Sequence, residues 1–314
     1  MQHFVADNAE IASDLWDNFI QKCSGASICA RYGWWSIVAP NWKALIITDD
    51  SGKWMAVLPF CRHKKFYFIN TLSPPFWTPY TGPYILKNNL IDYPKSQYLH
   101  KIWSYLIAVL PKFSFIQLSL PIGVAWSNEL KTAGFKIIPK LSYVADFQNI
   151  TCFPVMQPQL AHKLRQAERQ HFVLKEVGLD ELDCLLSFPQ NQKKYSVEKI
   201  AVLKKLITSF SGQPLIGLFS ENQELAVINW APSYASVWLN VLTVSNPNLQ
   251  TSRATAGFLL KHQLDRAFTQ QEIFDFEGSE IPGVEMFYRR FGFEPYNYFV
   301  VTKHPFSSLL PTWV

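Results

Sequence analysis

One layout occurs twice in this chain, and any fold for it has to accommodate both copies. Phe274, Asp275, Phe276 and Glu277 read as the end of a short strand carrying two carboxylates, followed by a turn at Gly278 and Ser279. Pro282 and Gly283 then introduce a segment with Val284, Phe287, Tyr288 and Phe291 at helical spacing. Gly292 stops that helix, and an aromatic strand over residues 293–301 follows. Residues 114–136 repeat the order: Phe115, Ile116 and Leu118 on a strand, Pro121 and Gly123 in a turn, a helix over 124–132, then Gly134-Phe135 and a strand. Ala133-Gly134-Phe135 falls on Phe291-Gly292-Phe293 without a gap. Residues 44–60 fall likewise on residues 214–230, each a hairpin with a polar turn, Asp49 to Gly52 in one and Ser220 to Gln223 in the other. One modest insertion reconciles the two registers. A repeat of this size means one domain in two tandem copies, residues 1–148 and 149–314, each of ordinary domain length.

The remaining pattern is α+β. Helices are expected over 11–22, 95–110, 159–170, 180–188, 196–210 and 254–269, and strands over 43–48, 53–61, 66–70, 172–177 and 236–243. Residues 73–83 carry Pro74, Pro75, Pro79 and Pro83, which remove backbone donors and exclude regular structure there. Residues 149–158 read as a linker. The succession predicts mixed, largely antiparallel sheets flanked by helices.

Composition narrows the class. At 48% hydrophobic, 314 residues suffice for two cores, and 11 Trp with 24 Phe make those cores aromatic. No run approaches the roughly 20 apolar residues of a membrane span. The polar start shows no signal peptide, and five scattered cysteines form no disulfide or metal pattern, so a reducing, cytoplasmic setting is expected. The seven histidines lack ligand spacing, so no metal is expected, and no P-loop or Gly-x-Ser-x-Gly elbow occurs. A net charge of +5 permits an anionic ligand such as CoA, a nucleotide sugar or tRNA without demanding one, and nothing points to DNA.

On one strand, Asp275 and Glu277 would point to the same face about 7 Å apart. Such a pair raises one pKa and suits a general base or an amine grip. Equally, the two could cap the next helix or pair with Arg289 or Arg290. Asn240, on the strand over 236–243, is either a donor to a reacting carbonyl or a satisfied core amide. Lys163, Arg165 and Arg169 form a cationic helix face that could hold a phosphate or an acceptor's charge, or simply be solvated. Tyr80 sits in the Pro-aromatic stretch, either lining a groove or packed.

The strand, acidic turn, helix, Gly and aromatic strand over residues 274–301 resemble the C-terminal end of a GNAT-type acyltransferase domain. More closely, they are similar to the Fem-type peptidoglycan aminoacyltransferases, in which an Asp-Phe-Glu-Gly-Ser-like turn precedes a helix ending in Phe-Gly. The resemblance implies two tandem GNAT-like domains. It also implies transfer of an acyl group from acyl-CoA or aminoacyl-tRNA to the amine of a small molecule or peptide, with no tightly bound cofactor. On this reading Asp275, Glu277 and Asn240 are catalytic. Lys163, Arg165, Arg169, Tyr80, Tyr288 and Arg289 meet substrate, and tRNA is a candidate partner. Residues 245–257 occupy the place of the family's pyrophosphate loop, with Arg253, Ala256 and Gly257 as the cofactor-binding positions. There the sequence departs from the pattern, since Ala256 stands where the first Gly belongs. The long charged heptad arm of many Fem enzymes is absent. Gln117 and Ser119 replace the carboxylates in the first copy, making it an acceptor-binding or scaffolding half. The alternative is an inactive tandem-GNAT module that binds a sugar nucleotide or peptide; the altered loop favours it, and the acidic pair favours an enzyme.

Overall fold

The computed structural model describes residues 1–65, 69–87, 95–249, 252–278 and 282–304. Two compact units divide the chain, Met1–Lys140 with the segment from Asn297 onward, and Leu141–Tyr296. The first half contains β1 (Gln2–Asp7), α1 (Ser13–Ile20), α2 (Tyr32–Val38), β2 (Lys43–Thr48), β3 (Trp54–Phe60), β4 (His63–Lys65) and β5 (Ile69–Leu72). It continues with β6 (Tyr84–Ile85), α3 (Lys95–Val109), β7 (Phe115–Ser119), α4 (Asn128–Thr132) and β8 (Lys136–Asp146). The second half runs through α5 (Pro158–Glu168), β9 (Val173–Val177), α6 (Leu179–Leu186), α7 (Pro189–Gln192), α8 (Val197–Ser209), β10 (Leu215–Phe219) and β11 (Leu225–Trp230). It closes with β12 (Ser233–Tyr234), β13 (Val237–Leu239), β14 (Leu242–Ser245), α9 (Ser252–Thr269), β15 (Ile273–Asp275), α10 (Pro282–Arg289) and β16 (Pro295–Lys303).

The repeat is visible in the strand orders. In the first unit β1-β2-β3-β6 form an antiparallel sheet, and in the second β9-β10-β11-β14 do the same. The first unit's other sheet runs β4-β5-β7, with β5 and β7 parallel, and the second's runs β12-β13-β15, with β13 and β15 parallel. Each is then completed by the last strand of the other repeat. Val300 to Lys303 of β16 pair antiparallel with β7, and Val144 to Asp146 of β8 pair antiparallel with β15. The sequence pattern assigns each last strand to its own copy, whereas the compact units divide at residues 140/141 and 296/297.

Packing follows the apolar stripes. In the first unit β2 is buried from Ala44 to Thr48, and Leu45, Leu58, Ile102, Trp103, Leu118 and Phe135 share one core. Two buried indole N–H groups inside the unit find acceptors, Trp16 on the Ala30 carbonyl (2.9 Å) and Trp34 on Thr78 Oγ1 (3.1 Å), whereas the buried Trp35 Nε1 finds none among the described residues. In the second unit Leu160 and Leu164 of α5 join Leu260, Leu264, Phe274, Phe276, Phe291 and Phe293. Gly257 of α9 makes this approach close, since a Cβ there would stand 3.3 Å from Leu160 Cδ1.

Three expectations change on folding. The polar N-terminus forms β1, an edge strand that its alternation did not advertise. α4 begins at Asn128 rather than 124, because Val124 N–H closes a turn onto Pro121 and the Ala125 carbonyl accepts from the Trp103 indole (3.1 Å). The strand expected over 236–243 is two strands in two sheets. Of the strand expected over 66–70, residues 66–68 lie outside the described residues. No helix among the described residues is long and apolar enough to cross a membrane.

Candidate active site

The site is built where two neighbouring strands part. β13 and β15 run parallel from Val237 and Ile273 to Leu239 and Asp275. Asn240 N–H still reaches the Asp275 carbonyl (2.9 Å), but Val241 N–H turns to Trp230 (3.1 Å), and β14 then follows β11 in the other sheet. On the opposite side of β15, Phe276 N–H continues the pairing to the Tyr143 carbonyl (3.0 Å). Glu277 comes next, at a φ of 57°. That left-handed conformation costs a residue with a Cβ roughly 1–2 kcal/mol, and strain of this kind gathers at functional sites.

Asp275 holds the turn. Its buried Oδ1 accepts from Ser142 Oγ (2.9 Å) and from the Glu277 backbone N–H (3.0 Å). The strand alternation that would set both carboxylates on one face therefore ends at Asp275, and the turn aims Glu277 instead. Glu277 is half-buried, and among the described residues its carboxylate receives no hydrogen bond. Burial, and secondarily the nearby Asp275 carboxylate, push its pKa up to about 8. The two arginines of the following segment turn elsewhere: Arg289 binds Glu285 (2.9 Å) and donates to Tyr143 Oη (3.3 Å), and Arg290 Nη2 rests on Met286 Sδ (3.6 Å).

Two phenols face Glu277 closely enough to feel its charge. Tyr288 on α10 and Tyr195, between α7 and α8, both lie above the ordinary tyrosine value, through burial first and the Glu277 carboxylate second. Behind them runs a polar chain. Gln263 on α9 donates to Asn229 Oδ1 (3.1 Å), and Asn229 donates to Asn240 Oδ1 (2.7 Å). Asn240 Nδ2 donates to the Phe276 carbonyl (3.3 Å) and to the Tyr288 oxygen (3.1 Å). Both Asn240 side-chain N–H hydrogens are thus engaged within the fold, and the residue is 4% exposed, so it organises the fork rather than meeting a substrate carbonyl itself.

The structure brings Asp275, Glu277, Asn240 and Tyr288 together. Arg253, Ala256 and Gly257 are in the first turns of α9, not in a loop, with Ala256 against the Ile216, Leu218 and Val227 core and Gly257 against Leu160 and Leu164. Ahead of them, Asn246 N–H bonds to Ala226 (2.8 Å) and Asn248 N–H to Asn246 Oδ1 (3.0 Å), so these donors are turned away from any phosphate. Residues 250–251 and 279–281 lie outside the described residues. Arg165 and Arg169 are exposed on α5, and Lys163 is exposed to a lesser degree there. Tyr80 belongs to the other unit, where it is buried with its carbonyl accepting from Tyr84 Oη (3.0 Å). Sequence reasoning missed Ser142, Tyr195, Asn229 and Gln263. Only Asn229 carried a signal, a lone amide inside the apolar run of β11.

No protein-family model and no curated protein sequence matches the chain. Solved structures do. FemX superposes with a TM-score of 0.66 at 11% identity, over 95% of this chain and 97% of that one. The C-terminal domain of a protein described as a putative lysylphosphatidylglycerol synthetase from Agrobacterium fabrum gives 0.58 at 10% identity, over 94% and 92%. A tandem GNAT protein from the clavulanic acid biosynthesis pathway gives 0.50 at 11%, over 96% and 98%. At such identities the likeness is one of fold. The chain therefore carries the tandem GNAT fold that it shares with FemX, the fold that the strand, acidic turn and helix around Glu277 resemble in sequence.

Proposed function

We propose that the protein is an N-acyltransferase or aminoacyltransferase that moves an acyl group from a thioester or an aminoacyl ester to an amine by direct attack. One observation carries this reading: a carboxylate at the strand fork, held in a strained turn, without a hydrogen-bond partner among the described residues, and with a pKa raised to about 8. A base with that value still draws a proton from an amine as it attacks, since a catalytic pKa near the working pH is the effective one. The amine nitrogen forms its bond to the carbonyl carbon, the C–S or C–O bond breaks, and the amine proton goes to Glu277. The departing thiolate or alkoxide takes a proton from solvent. Asp275 holds the turn that aims Glu277. The first repeat, with Gln117 and Ser119 in place of the carboxylates, is the acceptor-binding or scaffolding half.

The Asn246 and Asn248 N–H groups ahead of α9 are engaged within the fold, which favours an aminoacyl ester over acyl-CoA, because a pyrophosphate site is built from free N–H groups. The exposed Arg165 and Arg169 supply positive charge suited to a nucleic-acid or phosphate group.

A thermal-shift screen with acetyl-CoA, CoA, UDP-sugars, and charged and uncharged tRNA tests the donor, because a ligand of the folded state raises the melting temperature. A shift with CoA compounds overturns the aminoacyl-ester preference. Binding without transfer to any amine, in wild type and Glu277→Gln alike, overturns the enzyme reading in favour of a binding module.

A further inference from the structure

The polar chain behind Asn240 has a direction, set by three groups of fixed character. Arg266 can only donate, so the Gln263 oxygen faces it (Nη1 to Oε1, 3.1 Å) and the Gln263 nitrogen faces Asn229. The Leu242 carbonyl can only accept, so the Asn229 nitrogen faces it (2.9 Å) and the Asn229 oxygen receives Gln263 Nε2 (3.1 Å). The Phe276 carbonyl can only accept, so the Asn240 nitrogen turns there (3.3 Å) and its oxygen turns to Asn229 Nδ2 (2.7 Å). No amide in this series can flip alone without setting donor against donor or acceptor against acceptor. Gln263, Asn229 and Asn240 are 1%, 0% and 4% exposed, so water cannot readily relieve such a conflict.

The consequence falls on Tyr288. Its oxygen accepts the second Asn240 N–H (3.1 Å), so its own hydrogen has to point elsewhere. Among the described residues that hydrogen meets no acceptor, just as the neighbouring Glu277 carboxylate meets no donor. Among the described residues, one unfilled donor and one unfilled acceptor therefore lie beside the strand fork. An acyl group under attack by an amine presents their complement, a carbonyl oxygen and an N–H.

We propose that Tyr288 donates its phenol hydrogen bond to the acyl oxygen during transfer, and that Gln263, Asn229 and Asn240 are positioning residues that keep it a donor. This rests on the acyl-transfer reading above. As the amine adds, the carbonyl π pair moves onto oxygen, and the Tyr288 O–H stabilises that oxyanion without giving up its proton. Collapse restores the C=O bond and expels the thiolate or alkoxide, while the amine proton goes to Glu277. Burial and the Glu277 charge hold the Tyr288 phenol well above its ordinary value, so it stays protonated throughout.

The test uses the full chain labelled with 13Cζ-tyrosine, the variants Tyr288→Phe, Gln263→Met and Gln263→Glu, and transfer from acetyl-CoA and from aminoacylated tRNA to a lysine-containing pentapeptide. The resonance lost in Tyr288→Phe belongs to Tyr288. It is expected to move in both Gln263 variants while the other tyrosine resonances stay. Removing an oxyanion donor is expected to lower kcat on the order of 100-fold in Tyr288→Phe with KM little changed. The Gln263→Met change should add nothing further in a Tyr288→Phe background, because the two act through one group. A Tyr288 resonance unmoved in a folded Gln263 variant overturns the positioning role. Transfer retained in Tyr288→Phe but lost in Glu277→Gln overturns the role of the phenol and leaves acyl transfer standing. A wild-type chain inert with both donors overturns the acyl-transfer reading and the phenol's role with it, while the resonance still decides the positioning.

Discussion

Glu277 is a single residue whose placement sets both a chemical and a stability consequence. Its pKa is pushed up to about 8 in the folded chain, against 4.5 for an ordinary glutamate. Below the lower value both folded and unfolded chains hold the proton, and nothing is lost. Between the two values the unfolded chain ionises first, so stability falls as pH rises, by at most about 1.4 kcal/mol per pH unit. Above about 8 the penalty is constant. Glu277→Gln is thus expected to melt above wild type at alkaline pH, with the gap closing as the pH falls toward the ordinary glutamate value, which paired thermal melts across pH would read. A gap independent of pH would mean that the carboxylate titrates normally in the folded chain. The same group predicts that kcat/KM rises with pH to a plateau above about 8, and that Glu277→Gln removes this limb along with transfer, by on the order of 100-fold or more. The types of Asp275 and Glu277 were legible in the sequence, but their roles were not. A strand alternation treats them as equals; the left-handed turn at Glu277 makes one a strut and the other an open carboxylate.

At the scale of elements, two equivalent glycines test the repeat. Gly134 and Gly292 follow α4 and α10 at φ values of 83° and 87°, as helix-ending glycines do. A Cβ on Gly134 meets nothing within 4 Å, whereas one on Gly292 would stand 2.4 Å from the Val155 carbonyl oxygen. Gly134→Ala should therefore cost only the conformational penalty, roughly 1–2 kcal/mol. Gly292→Ala adds a clash with backbone and should cost about 3 kcal/mol or more. Denaturant titration of the two variants makes the comparison, and equal costs would refute it. Gly257 separates packing from phosphate binding in the same way. Gly257→Leu should destabilise by about 1–3 kcal/mol, since the new side chain must enter space held by Leu160, Leu164 and Phe287. A folded Gly257→Leu that loses only CoA binding would restore the loop reading. The hairpins over 44–60 and 214–230 were legible because strict turns bounded alternating runs. The break of the strand at Asn240 was not, because leaving one sheet for another requires no special residue in the sequence.

For the whole molecule, the exchanged last strands matter most. The first unit contains the chain from Asn297 onward, and β7 pairs with Val300 to Lys303. A fragment of residues 1–148 should leave β7 with an unpaired edge and lose a strand from its core, where Val301 is fully buried. It is expected to unfold at lower denaturant than the intact chain, or to self-associate, with β7 amides the first to lose hydrogen-exchange protection. A fragment as stable as the parent, with β7 protected, would show that each repeat closes on its own strand.

Periodicity, turn residues and the doubled layout were enough to determine two tandem α+β copies with mixed sheets and to single out Asp275, Glu277, Asn240 and Tyr288 among the residues near the fork. These are properties of short windows, where spacing alone sets which faces are apolar and where the chain turns. What only the tertiary structure decided is long-range: which repeat each final strand completes, where β13 and β14 part company, and which buried amides line up behind Tyr288. Partners such as Ser142 and Asp275, or Gln263 and Asn229, are distant in sequence. Their bonds exist because burial excludes water and leaves each polar group to find its partner within the fold, a condition that is met only once the cores have closed.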